Sequence, residues 1–190
     1  MSIRDARESR LPPDLDLNGF ELLSESSVSN NLDFMDNAAV IKDYYPLCEA
    51  LLAGRTGGKV FAFDHNVRSA TGKAGGAGIG GGQNVQGPAH MVHGDYTIRS
   101  GPERLVQLSN MPSGNDTLKG YIDEPLIPTA IIDACQRFAI INVWRNIDSL
   151  AVASHPLALC DGQTVEPEDL VVFEIHYADR VGENYFSKSS

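Results

Sequence analysis

The sequence predicts a mainly β protein with flanking helices, an α+β sandwich or barrel, and three observations carry that prediction. Apolar runs of strand length recur along the chain. The connections between them are rich in glycine and proline, with 18 glycines and 10 prolines in 190 residues. Only one long stretch, residues 37–54, has apolar residues at helical intervals.

Taken in order, the first thirty residues read as extended and turn structure, because Pro12 and Pro13 block a helix ahead of short apolar clusters. Residues 37–54 then predict a helix kinked or split at Pro46 and ended at Gly54. Residues 59–64 alternate and carry aromatics, which predicts a strand with polar groups following at its end. The stretch from Ser69 to Gly87 is too poor in apolar residues to pack by itself and predicts a loop. Residues 88–100 read as strand-like, 128–136 as a short helix, and 138–144 as a central strand because the run is almost continuously apolar. Two more strands are expected at 157–160 and 170–177.

Length and composition fit one domain, 1–190, with its own core. The formal charge of −10 leaves no basic surface to displace counterions, so nucleic acid is not an expected partner. No stretch reaches the roughly 18 to 20 apolar residues of a membrane helix, and the N-terminal residues lack a secretion signal; a cytoplasmic protein with no membrane partner is expected. Cys48, Cys135 and Cys160 are odd in number and widely spaced, which predicts reduced, buried thiols.

The sharpest chemical feature is His93-Gly94-Asp95. Alternation along a strand points residues two apart to one face, so an imidazole and a carboxylate look the same way. They would supply two corners of the triad that holds ferrous iron, the third being a histidine from a distant strand. His65, His90, His155 and His176 are available for that corner only in principle; a hydrogen-bonded or exposed structural role is the ordinary alternative for each. Arg68 and Arg145 stand where a guanidinium could fork onto a carboxylate, and Asn142 and Trp144 share a face by alternation. The glycine-rich AGGAGIGGGQ lacks the Gly-Lys-Ser/Thr ending of a phosphate-binding loop and reads as a lid or a solvated insertion.

The blocks NGFELL, FAFDHNVR, VHGDYT, FAIINVWRN, HPLALCDGQTV and EDLVVFEIHYADRVGENY, in this order, resemble the CmcJ/NvfI-like hydroxylase/desaturase family. That family includes a cephalosporin methoxylation protein and gibberellin desaturase-like proteins, and the resemblance runs from about Ile3 to Phe186. It implies a double-stranded β-helix (jelly roll), Fe(II) as cofactor and 2-oxoglutarate as cosubstrate, with oxidation of a small, secondary-metabolite-like substrate. It carries iron ligation onto His93 and Asp95, and substrate or cosubstrate binding onto Arg68, Asn142, Trp144 and Arg145, with Asp64 and His65 beside them.

Members of that family continue beyond the GENY block to a further histidine and a carboxylate-binding arginine. The resemblance therefore predicts an incomplete jelly roll lacking its C-terminal strands. Its open sheet edges could take a second copy or a partner. A catalytically inactive remnant or binding subunit is the rival expectation to an oxygenase.

Overall fold

The computed structural model describes residues 3–24, 32–69, 85–114, 116–176 and 181–188. Among these described residues it is a mixed α+β structure with one small antiparallel sheet. The chain divides into two compact units: residues 1–26, 89–100 and 152–190 form the first, and residues 27–88 and 101–151 the second.

In the first unit, Asp14 opens the one-turn helix α1 (Leu15–Asn18) by accepting from the Asp16 and Leu17 amides, and Gly19 closes it at φ 79°. Asn18 then donates its side-chain amide to Asp161 Oδ1 at 3.0 Å. At the adjoining turn a Cβ on Gly162 would stand 3.1 Å from the Asn18 carbonyl oxygen, so the close approach favours glycine. The sheet has the order β1 (His93–Gly94), β3 (Val181–Ser187), β2 (Leu170–His176). β2 and β3 pair antiparallel with Leu170 opposite Ser187 and His176 opposite Val181. β1 joins β3 with His93 opposite Phe186 and Gly94 opposite Tyr185.

In the second unit, Asp36 caps α2 (Asn37–Ala39) through the Ala38 and Ala39 amides. The helix passes through a π-helical turn (Val40–Tyr44) into α3 (Tyr45–Thr56), which Gly57 ends at φ 69°. Pro46 explains the π turn. Its ring lacks an N–H and would crowd the carbonyl four residues back, so the helix widens until the Tyr45 amide reaches Val40 O. The expected helix over 37–54 is thus interrupted by a π-helical turn just before Pro46, and it ends at Gly57 rather than Gly54. Val40, Tyr45 and Leu118 make the core, with Phe34, Ile41, Tyr44, Ala62, Ile122 and Leu126 packed around them. Val67 and Val85 make a second cluster with Met35. α5 (Thr129–Asp133) is the short helix expected near 128–136.

Several expected strands take another form. Residues 59–64 carry no sheet ladder; the Ala62 amide donates to the Glu49 carboxylate of α3 at 2.8 Å, and Ala62 packs on the core. Residues 138–144 and 157–160 likewise carry no ladder, and Phe138, Val143, Trp144, Leu157 and Leu159 are exposed. Of the stretch 88–100, only His93 and Gly94 are strand, and α4 (Ser100–Gln107) begins at its end. The glycine-rich insertion lies at 70–84, outside the described residues. The three cysteines are free, but none is buried as expected: Cys48 and Cys160 are partly exposed and Cys135 is exposed. Among the described residues no helix is long and apolar enough to cross a membrane.

Candidate functional site

His93 and Asp95 converge as alternation predicts. Pairing with β3 fixes the backbone, and the Ser187 amide extends it by donating to Val92 O at 3.1 Å. His93 Nδ1 lies 2.9 Å from the Met91 carbonyl oxygen. Since a carbonyl can only accept, Nδ1 carries a ring proton, and in the neutral tautomer that this selects Nε2 holds the lone pair. That Nε2 faces Asp95 Oδ1 at 3.5 Å, with the imidazole 28% and the carboxylate 46% exposed. A histidine that ligates a metal commonly donates its other ring N–H to a carbonyl or carboxylate in this way. Two donors about 2.1 Å from one ion and at right angles would stand about 3 Å apart. The observed 3.5 Å is about 0.5 Å wider, so the pair would have to close slightly to hold one ion; an imidazole nitrogen and a carboxylate oxygen are donor types that suit ferrous iron.

Neighbouring residues hold this geometry. We assign the Asn184 amide with its nitrogen, not its oxygen, toward the main-chain oxygens of Asp95 and Glu183, because two acceptors face it, at 3.2 and 3.1 Å. After Asp95 the chain turns through Thr97 and Ser100, both buried. Ser100 Oγ accepts from the Thr97 amide at 2.9 Å and donates to Glu183 O at 2.6 Å. Arg99 pairs with Glu183 Oε1 at 3.1 Å. By register, His93 shares its sheet face with Phe186 and Phe173, whose rings stack with centroids 3.7 Å apart. Sequence reasoning missed Phe173, Asn184 and Phe186, because only the pairing of β1 with β3 places them beside the histidine. Gly94 is not demanded by space, since a Cβ there would make only ordinary contact with Tyr185.

Of the other expected residues, His90, His155 and His176 lie in the first unit, and Asp64, His65, Arg68, Asn142, Trp144 and Arg145 in the second. The Arg68 guanidinium donates to Gly87 O at 3.0 Å, where the main chain also closes through Ser69 N to Gln86 O and Gln86 N to Val67 O. Asp64 accepts the Thr117 hydroxyl and the His65 amide. His65 Nδ1 meets the Tyr45 hydroxyl at 3.0 Å, and its Nε2 is buried without a partner among the described residues. Burial lowers the His65 pKa below its ordinary value, partly opposed by the Asp64 charge, while burial raises Tyr45. We assign the hydroxyl as donor to Nδ1.

Arg145 stands 5.9 Å over the Phe34 ring and within reach of the Tyr44 hydroxyl, which also bonds the Cys48 thiol. Burial, with Cys48 adding, pushes the Tyr44 pKa up to about 12, against the lowering by Arg145. Asn142 and Trp144 are exposed. An unexpected buried pair joins Arg104 to Asp116 at 2.8 Å under the Phe63 ring, beside a cavity of about 10 Å³ that admits one water at most. Among the described residues, no three His, Cys, Asp or Glu side chains gather as a metal-binding group.

Residues 1–190 match the family model described as Oxidoreductase/YMDC permease-like domain. The chain belongs to this family. Within the curated proteins it is 44% identical over 153 residues to the uncharacterized protein in the dcmA 3′ region of Methylophilus leisingeri, covering 77% of this chain and 70% of that one. It is 33% identical to Oxidoreductase AN1597 of Emericella nidulans, covering 93% of this chain and 54% of that one. It is 29% identical to the Fe(II)/2-oxoglutarate-dependent dioxygenase nvfI of Aspergillus novofumigatus, covering 87% and 52%. The resemblance to the CmcJ/NvfI-like family is thereby borne out at the level of the family. The chain spans about half the length of these two fungal relatives. No solved structure matches it.

Proposed function

We propose that this chain belongs to a non-haem Fe(II), 2-oxoglutarate-dependent oxidoreductase of the hydroxylase/desaturase type, acting on a small molecule. His93 and Asp95 are two of the iron's ligands in this reading. One observation carries it: His93 Nε2 faces Asp95 Oδ1 at 3.5 Å while Nδ1 is held by the Met91 carbonyl. The names of the fungal relatives supply the cofactor and cosubstrate. The small antiparallel sheet is then part of a double-stranded β-helix.

Fe(II) with 2-oxoglutarate and oxygen supplies oxidation of an unactivated C–H bond. The protein's share is binding and orientation. His93 and Asp95 bind through one imidazole nitrogen and one carboxylate oxygen. Met91 O and the main-chain anchoring by Asn184 keep both donors aimed, and the Phe173–Phe186 stack gives the same sheet face an apolar wall suited to a hydrocarbon portion of substrate. Arg68, Asn142, Trp144 and Arg145 enter as substrate- or cosubstrate-binding residues on the sequence blocks, with guanidinium chemistry suited to a carboxylate.

Anaerobic titration of the tag-free chain with Fe(II), with and without 2-oxoglutarate and beside His93→Ala, tests this reading. Stoichiometric micromolar binding that the substitution abolishes is the expected result. Binding no tighter than that of His93→Ala would sink it and leave the binding-subunit alternative.

A further inference from the structure

Two histidines that the His93–Asp95 pair does not use meet elsewhere in the same unit. His90 and His155 come from separate stretches of the chain, yet their ring centroids lie 5.2 Å apart with planes at 73°. Both residues are exposed, so burial of apolar surface does not account for the contact. His155 also holds φ 52°, the one positive φ among the described non-glycine residues. Such a conformation persists where its surroundings hold it and marks a position worth a functional question.

Imidazole is a common ligand of borderline divalent ions. With metal–nitrogen bonds of about 2.1 Å, two imidazoles at a near-tetrahedral angle have ring centroids about 5 Å apart. The observed centroid spacing is of that size. We propose that His90 and His155 form a two-imidazole site for a borderline divalent transition ion of the Zn(II) kind, with solvent completing its coordination. The site differs in donor type from His93–Asp95: it offers two nitrogens and no carboxylate, so it disfavours the hard ions Mg(II) and Ca(II). With two protein ligands its affinity is modest and binding is reversible.

Calorimetric titration of the tag-free full chain with Zn(II) tests the proposal, beside His90→Ala, His155→Asn and His93→Ala. Asparagine is chosen at His155 because it tolerates positive φ and removes the imidazole. The expected result is one micromolar-range Zn(II) site, weakened at least about tenfold in both the His90 and His155 variants and retained in His93→Ala. Loss only in His93→Ala would place the ion at the other pair and overturn the proposal, as would affinity unchanged in the His90 and His155 variants. Long-range imidazole ¹H–¹⁵N spectra of the unsubstituted chain give a readout independent of variant folding. Zn(II) must shift the ring resonances of His90 and His155 together, and the proposal fails if neither moves.

Discussion

The two units of the molecule are held together by different forces. Among the described residues, the six buried apolar ones, Val40, Tyr45, Val67, Val85, Leu118 and Ile127, all lie in the unit formed by residues 27–88 and 101–151. In the unit that carries His93 and Asp95, the buried residues among those described are Thr97 and Ser100, and Val172 and Val181 of its sheet are about half exposed. One unit is stabilised by apolar burial around α2 and α3. The other rests on a sheet ladder and a hydrogen-bonded turn, and that polar frame is what aims the histidine and the carboxylate.

The sharpest way to break this comparison is a matched pair of truncations. Leu118 is 4% exposed, so Leu118→Ala should cost about 2 to 5 kcal/mol, through lost burial and the cavity left behind. Val172→Ala, on a half-exposed strand position, should cost roughly 0.5 kcal/mol. The single tryptophan, Trp144, lies in the apolar unit, so its fluorescence during urea unfolding reads the Leu118 effect directly, with circular dichroism following the whole chain. Equal costs at the two positions would mean that the sheet is as well packed as the helical core.

The helical core was also the more legible region. The apolar spacing of residues 37–54 marked the helix, and Pro46 marked its irregularity, because both signals are local. Convergence of His93 and Asp95 followed from alternation for the same reason. Residues 59–64 misled because alternation reports a two-sided environment; here one side is α3, and Glu49 takes the amide that a neighbouring strand would have taken. β3 was not read as a strand because Glu183 and Asn184 interrupt its apolar pattern, and its identity comes from pairing with β2. The surroundings of Arg145 were illegible since Phe34, Tyr44 and Cys48 are distant in sequence. α4 carries a local signal in Pro102 and Glu103 of its first turn, directly after the strand-like run.

A smaller effect should come from the polar frame. Ser100→Ala removes the hydroxyl that accepts from the Thr97 amide and donates to Glu183 O, leaving the buried Thr97 amide short of that partner. The expected cost is about 1 to 3 kcal/mol. Hydrogen exchange should show it locally, as faster exchange of the Thr97 amide with the Leu118 region unchanged. Unaltered protection at Thr97 would show that the hydroxyl does not hold the turn after Asp95, and that β3 pairing alone positions the two donors.

The mildest test uses protons and addresses the apolar unit again. Burial lowers the His65 pKa from its ordinary 6.5, so between the folded value and 6.5 the unfolded chain binds the proton more readily than the folded one. Stability therefore rises with pH across that window. It is undiminished above 6.5, falls as the pH drops below it, and stops falling once the folded imidazole is also charged. Tyr45 sharpens the effect, because its buried hydroxyl, held protonated, is best matched to a neutral Nδ1 acceptor. His65→Gln keeps a hydrogen-bonding side chain but cannot titrate, so the loss of urea midpoint between about pH 7.5 and about pH 5.5 should shrink in the variant. An identical loss in both proteins would move the acid sensitivity away from the apolar core, to the carboxylates and histidines of the unit that carries His93.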